Sequence, residues 1–431
     1  MNLYMKSLAE VEAAGKPVRV ALIGAGKFGS MFLAQVPTAP GLKVVAIADL
    51  SVERAQAACR GVGWSEDLIA GTHFTDNSLD MIASDDVDVI VEATGNPAAG
   101  IRHARAAIAA RKHIIMVNVE ADVLAGPLLA RQAEQAGVVY SLAYGDQPAL
   151  ICEMVDWART CGFEVVAAGK GTKYLPVFHT STPDTVWHYR GVDPEDARKG
   201  GMNAQMFNSF IDGTKSGIEM AAVANATGLA PSPDGLQFPP APADKLAQIL
   251  CEKNLHHRGQ VEVVSSVYRD GTTVPNNLRW GVYVVFAAPN AYTERCFREY
   301  GVESDETGTL AALYRPFHLI GLELNVSIFS AALRNEPTGK PIGFIADVVA
   351  TAKRDIDPGE MLDGEGGYLV WGKLMPAKDS LAIGGLPIGL AHGIRVKRAV
   401  AQGQSLTWDD VEINESDDAY AFRREMEKAF A

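Results

Sequence analysis

Val18-Arg19-Val20-Ala21-Leu22-Ile23-Gly24-Ala25-Gly26-Lys27-Phe28-Gly29-Ser30-Met31 is the stretch that decides how this chain is read. A short β-branched run breaks into G-x-G-x-x-G and passes at once into a helical pattern ending near Ala34. The spacing gives each glycine a task. Gly24 permits the tight turn, Gly26 lets bare backbone approach a pyrophosphate, and Gly29 lets the helix pack close to the strand. Lys27 and Phe28 open that helix, whose free N–H groups and positive dipole end favour an anion. A second apolar strand, Leu42 to Ala48, ends in Asp49, 20 residues beyond Gly29, where a carboxylate would face an adenosine ribose. A glycine turn in some unrelated α/β unit is the bland alternative; the strand, loop, helix and acidic residue in order argue for dinucleotide binding.

The chain has 431 residues, beyond the ~250–300 at which one core stops growing, so two or three domains are expected. Its 39 Lys+Arg against 52 Asp+Glu give a net charge of −13, which argues against nucleic acid and against an anionic membrane surface as partners. No apolar run approaches the ~18 residues of a membrane span. The first ten residues read as a mixed-charge helix without a signal-peptide core. Five scattered cysteines with no C-x-x-C suit a reducing cytoplasm and buried thiols.

From Val18 to about Tyr144 strand and helix alternate with near-continuous apolar strands, which predicts a doubly wound parallel sheet over residues 1–147. Residues 148–339 read as an α+β substrate domain. Within it Val261–Tyr268 and Leu278–Phe286, joined through Arg269-Asp270-Gly271, are expected as antiparallel strands. The apolar run Phe317 to Leu333 is expected to be a helix that returns to the first domain. Residues 340–431 carry an internal repeat: Lys353 to Leu362 aligns with Lys397 to Leu406 at an offset of 44. Two copies suit paired β units in a small domain, separable from the rest.

Candidate chemistry lies at the strand ends. Thr94, Gly95 and Asn96 follow one strand and Asn118 follows the next, where they could meet the nicotinamide side or simply cap helices. Glu120 and Asp122 could hold a divalent cation or cap a helix. Ser51 and Arg54, just past Asp49, could hold a 2′-phosphate. Lys170 and Lys173 suit a phosphate, a carboxylate or a proton donor to a carbonyl. If helical from about Asp212, the segment places Asp212, Lys215 and Glu219 on one face among Ala, Val, Met and Ile, and buried charges are usually paired or functional. Those three are the leading catalytic candidates. His256-His257 reads as a polar surface loop, and Arg315 and His318 as weaker substrate contacts.

Taken together, these motifs resemble known enzymes. The glycine loop and Glu92-Ala93-Thr94-Gly95 resemble the homoserine dehydrogenase nucleotide-binding domain. The repeat resembles the SAF family of small β-clip domains. Over nearly its whole length, including Tyr144–Leu150, Asp212-Gly213-Thr214-Lys215 and Asn225-Ala226-Thr227-Gly228, the chain resembles the DXR-like family. That resemblance implies an NADPH- and Mg- or Mn-dependent reductoisomerase like that forming 2-C-methyl-D-erythritol 4-phosphate, an isoprenoid precursor. The Asn-Lys of homoserine dehydrogenases reads Asn118-Val119 here, which argues against homoserine oxidation.

The expectation is a cytoplasmic, homo-oligomeric (dimeric or tetrameric) NADP-dependent oxidoreductase, with NAD as the alternative cofactor. Its substrate would be a small phosphorylated or polyhydroxylated keto compound. A simple homoserine- or sugar-acid-type dehydrogenase without carbon migration is the enzymatic alternative, and a dinucleotide-responsive binding protein the non-enzymatic one.

Overall fold

The structure, a computed structural model, describes residues 3–430. The chain divides into two compact units, Met1–Leu150 with His318–Ile342, and Ile151–Phe317 with Gly343–Ala431.

The first unit is built on six parallel strands: β1 (Val18–Ile23), β2 (Leu42–Ala48), β3 (His73–Thr75), β4 (Val89–Glu92), β5 (His113–Met116) and β6 (Tyr140–Leu142). Their order is β3-β2-β1-β4-β5-β6. Val20, Leu22, Val44, Ile47, Val89, Val91 and Ile115 are buried because helices cover both faces, which is why these strands read as unbroken apolar runs. The order reverses at β1, flanked by β2 and β4, so the crevice for a ligand opens at the carboxyl ends of β1 and β4. Residues 318–342 return to this unit, and Leu324, Ile328, Phe329 and Ala331 enter its core. The helix itself is Asn325–Arg334, shorter than the apolar run suggests.

The second unit centres on a five-stranded mixed sheet of β7 (Glu164–Thr172), β8 (Ala230–Pro231), β9 (Gln260–Ser265), β10 (Val282–Ala287) and β11 (Leu310–Arg315). The order is β11-β10-β7-β9-β8. The expected hairpin between β9 and β10 does not form: β7 lies between them, parallel to β9 and antiparallel to β10. Glycine makes this possible. A Cβ on Gly169 would stand 1.7 Å from the Glu262 carbonyl oxygen, and one on Gly171 would stand 1.8 Å from that of Leu278.

The C-terminal region comprises β12 (Ala346–Ala352), β13 (Met361–Asp363), β14 (Val370–Pro376) and β15 (His392–Arg395), with β12–β14 and β13–β15 antiparallel. It is not all-β, since helices Ala377–Ile383 and Asp418–Phe430 belong to it; the latter buries Arg423 against Asp347 at 2.6 Å and Glu427 at 2.9 Å. Nor does it form a compact unit of its own, because helix Thr214–Thr227 packs on β12 and β14. The Gly372 N–H donates to Thr214 Oγ1 at 2.8 Å, and Asn225 Oδ1 accepts from Ile345 N at 2.7 Å and Ala346 N at 2.9 Å.

The two repeat copies exchange hydrogen bonds reciprocally. Ile356 N donates to Val400 O at 2.9 Å and Val400 N to Ile356 O at 3.0 Å; these residues are repeat equivalents. Gly359 N donates to Val396 O and Gly403 N to Ala352 O, each at 2.8 Å, and both glycines have positive φ. The copies are thus related by a local pseudo-twofold axis.

Candidate functional site

The glycines divide their labour as bare backbone requires. Gly24 sits at φ +94, and a Cβ there would stand 2.8 Å from the Ala93 carbonyl oxygen. A Cβ on Gly29 would stand 2.2 Å from the Gly24 carbonyl oxygen, so this glycine sets the approach of helix α1 (Lys27–Gln35) to β1. Gly26, which caps α1, differs: a Cβ there would meet nothing within 4 Å. Its bareness serves space outside the chain. Lys27 is exposed beside it and Phe28 packs against the core.

Asp49 is buried and fully engaged by the chain. Its Oδ2 accepts from Ala25 N at 3.0 Å, tying the end of β2 to the glycine loop. Its Oδ1 accepts from Ser51 N at 3.1 Å and from Arg54 Nη2 at 2.5 Å. Ser51 Oγ caps helix α2 (Val52–Gly61) by accepting from Arg54 N at 3.2 Å, and the Arg54 side chain remains 64% exposed.

At the ends of β4 and β5 the expected residues come together. Thr94 Oγ1 donates to Glu92 Oε1 at 2.6 Å; Asn118 Nδ2 donates to Thr94 Oγ1 at 3.3 Å and to Asn96 O at 2.9 Å. Gly95 turns the chain at φ +68. Both asparagines also cap helices, Asn96 that of α3 (Pro97–Ala109) and Asn118 that of α4 (Val119–Ala136). Behind Thr94 the fully buried Glu92 meets His103 Nδ1 at 3.1 Å, and His103 Nε2 lies 2.9 Å from Ser78 Oγ. The sequence signal for this buried relay was a glutamate closing an apolar strand; its histidine partner carried none.

The expected metal ligands do not form a site. Asp122 is fully buried on α4, its Oδ1 accepting from Tyr140 Oη at 2.8 Å, while Glu120 two residues earlier points elsewhere on the helix by its 200° spacing. Among the described residues no group of three or more His, Cys, Asp or Glu could hold a metal ion. Burial instead pushes the Asp122 carboxyl up to about 7. An unfolded Asp titrates near ~3.9, so the folded chain holds a proton that the unfolded chain releases. The associated stability is complete below about pH 4 and is lost as pH rises through about 7. Asp122→Asn, which keeps an acceptor for Tyr140, is expected to remove this slope and to stabilise the protein at pH 8 by roughly 2–4 kcal/mol. Urea unfolding of both proteins at pH 5 and pH 8 checks it.

In the second unit the three expected catalytic residues separate. Helix α5 (Thr214–Thr227) starts after Asp212, which therefore does not share a face with Lys215 and Glu219. Asp212 is fully buried, with Oδ1 accepting from Thr214 N at 2.9 Å and Oδ2 2.8 Å from Lys353 Nζ. Glu219 forms a buried ion pair with Lys170 of β7. Lys215 is half-buried in the first turn of α5. Lys173 Nζ donates to the Tyr189 carbonyl at 2.6 Å. His179 was missed: its Nδ1 meets Asp212 O at 2.7 Å, which makes Nε2 the acceptor from Tyr174 Oη at 2.8 Å, and burial lowers its pKa. Its ring stacks on Trp371 at 3.8 Å and lines a cavity of about 250 Å³ with Phe238 and Lys373. A groove of about 1190 Å³ in the first unit lies at the amino ends of β1, β2 and β5, the wrong sheet edge for the glycine loop.

Comparison with known proteins bears on both units. Residues 18–118 match the oxidoreductase family with an NAD-binding Rossmann fold, of the Gfo/Idh/MocA type. Residues 145–324 match the catalytic domain of oxidoreductase DRL. No curated protein matches the chain. Similar solved structures include the myo-inositol dehydrogenase of Lactobacillus casei with NAD(H) and myo-inositol, at 17% identity and a TM-score of 0.30 over 39% of this chain and 50% of that one. KijD10, a 3-ketoreductase of Actinomadura kijaniata with NADP and TDP-benzene, aligns at 18% identity and a TM-score of 0.28 over 37% of this chain and 48% of that one. The chain thus spans about half the length of these structures. Residues 18–118 thus form a Rossmann-type unit similar to the NAD-binding domain of that oxidoreductase family. The matches correct the DXR-like family resemblance, and the reductoisomerase activity, isoprenoid role and metal that it implied are set aside with it.

Proposed function

We propose that the protein is an NAD(P)-dependent dehydrogenase or reductase of a small, polyhydroxylated, sugar-like substrate, without carbon migration. The observation that carries this reading is the open cradle over Gly26 in a unit matching an NAD-binding oxidoreductase family. NADP is the favoured cofactor. Asp49 is already bonded to Ala25, Ser51 and Arg54, which leaves the exposed Arg54 guanidinium to meet a 2′-phosphate. The bound nicotinamide supplies or accepts the hydride. Thr94, held by Glu92 and Asn118, orients the ligand at the sheet edge. Lys215 exchanges the proton at the substrate oxygen, while the Lys170–Glu219 pair supports the helix that presents it. An SAF-like reading of the C-terminal repeat is retained, supported by its reciprocal pairing.

The test is a screen of NADPH and NADH consumption or formation against keto sugars, polyols and sugar acids. Arg54→Ala is expected to weaken NADPH binding and to spare NADH. Lys215→Met is expected to lower turnover by roughly 10²-fold, the scale of a lost acid–base group, with melting temperature and dinucleotide affinity unchanged. Near-normal turnover would exclude Lys215 as the proton donor and leave Lys170 and Lys173 as the candidates.

A further inference from the structure

Three cations of the second unit, Lys173, Arg190 and Arg279, lie within electrostatic reach of one another. Lys173 follows the end of β7, and its ammonium lies on the carbonyl of Tyr189, the residue before Arg190. Two residues before Lys173, the bare Gly171 packs against the chain at Arg279: a Cβ there would stand 3.0 Å from the Arg279 nitrogen. The guanidinium groups are held over aromatic rings, Arg190 at 4.6 Å from Phe207 and Arg279 at 4.8 Å from Trp280. All three side chains are half-buried. Among the described residues none of the three has a carboxylate partner. Elsewhere in this acidic chain half-buried arginines such as Arg19 meet aspartates.

The electrostatics agree with the geometry. Burial lowers the Lys173 pKa first, and Arg279 and then Arg190 lower it further. Arg190 is lowered by burial and by Arg279, and Arg279 by burial. Like charges gathered in a partly dry place repel one another, and an oxyanion accepting from guanidinium and ammonium N–H groups relieves that repulsion.

We propose that Lys173, Arg190 and Arg279 form a binding site for an oxyanion, the carboxylate or phosphate end of a small ligand. If that ligand is the substrate, which rests on the oxidoreductase reading above, the substrate class narrows to sugar acids or sugar phosphates. The anion site itself does not depend on that reading.

Calorimetric titration of the full chain with gluconate, glucose 6-phosphate, inorganic phosphate and neutral glucose tests it. Gluconate or glucose 6-phosphate is expected to bind saturably, in competition with inorganic phosphate, and glucose at least about tenfold more weakly, as loss of a charge-assisted contact requires. Competition by inorganic phosphate against glucose 6-phosphate but not gluconate identifies a phosphate end; competition against both identifies a general oxyanion site. Arg279→Met and Arg190→Met are each expected to weaken the charged probe by about tenfold or more, with Arg279→Lys recovering part of the loss. Without an anion, Arg279→Met should melt no lower than the parent, because it removes repulsion. Absence of saturable binding by both charged probes, equal binding of glucose, or unchanged binding in both methionine variants would overturn the proposal. So would a fall in melting temperature in Arg279→Met that Arg279→Lys restores, since the cation would then be structural. Anion binding should persist in Gly26→Val, so failure of the dinucleotide reading and failure of this site remain distinguishable.

Discussion

Gly26→Val is expected to lose dinucleotide affinity by on the order of 10²-fold or more while keeping its fold and melting temperature. A Cβ there meets no atom beyond the chain neighbours within 4 Å, and φ −73 lies outside the region that favours glycine, so the folded state is expected to accept the change. The valine instead fills the volume that a pyrophosphate would occupy against α1. Gly29→Val is the contrasting variant: its Cβ would stand 2.2 Å from the Gly24 carbonyl oxygen, so it should lose the fold as well as the ligand. Fluorescence titration with NADPH and NADH, beside thermal melts, separates the two. Unchanged binding in Gly26→Val would remove the dinucleotide assignment.

Lys353→Met is expected to destabilise the protein by about 3–5 kcal/mol, the cost of breaking a buried pair. Lys353 is 3% exposed and donates to the carbonyls of Ser181 at 2.8 Å and Gly367 at 2.7 Å besides pairing with Asp212. Its removal leaves a buried carboxylate without a cation and two carbonyls without a donor. For a unit of this size the melting temperature should fall by on the order of 10 °C. Asp212→Asn added to Lys353→Met should recover part of the loss, because the uncompensated charge goes with it. Lys397→Met, at the equivalent and exposed position of the second repeat copy, should stay within about 0.5 kcal/mol of the parent. Equal effects at Lys353 and Lys397 would show that the buried pair contributes nothing particular.

What the sequence disclosed follows from how far each determinant reaches along the chain. The tasks of Gly24, Gly26 and Gly29 are set by a few neighbouring residues and by the strand before them, so the loop and its sheet edge were legible. The repeat was legible because its spacing is constant. The partners of Asp212 and Glu219 were not. Helical spacing suggested a face shared with Lys215, but a glycine at φ +95 turns the chain just before α5, and Asp212 pairs with a lysine far along the sequence. The strand order of the second unit was hidden for a similar reason. Only close approach over Gly169 and Gly171 inserts β7 between β9 and β10, and two glycines in an apolar run do not announce what approaches them. Asp122 looked like a metal ligand because nothing local tells an exposed carboxylate from one sealed beneath Tyr140.

The local twofold in the C-terminal region has a consequence for how this chain can change. A duplicated segment begins as two equal arms, and here they have parted company. Lys353 bolts its arm into the interior through Asp212, Ser181 and Gly367, whereas its equivalent Lys397 faces solvent. Yet the reciprocal rungs at Ile356 and Val400 bind them together, so the outer arm keeps its backbone path as its exposed side chains change. It is the spare copy: new contacts can accumulate on it at little thermodynamic cost, on a frame that the inner copy holds still.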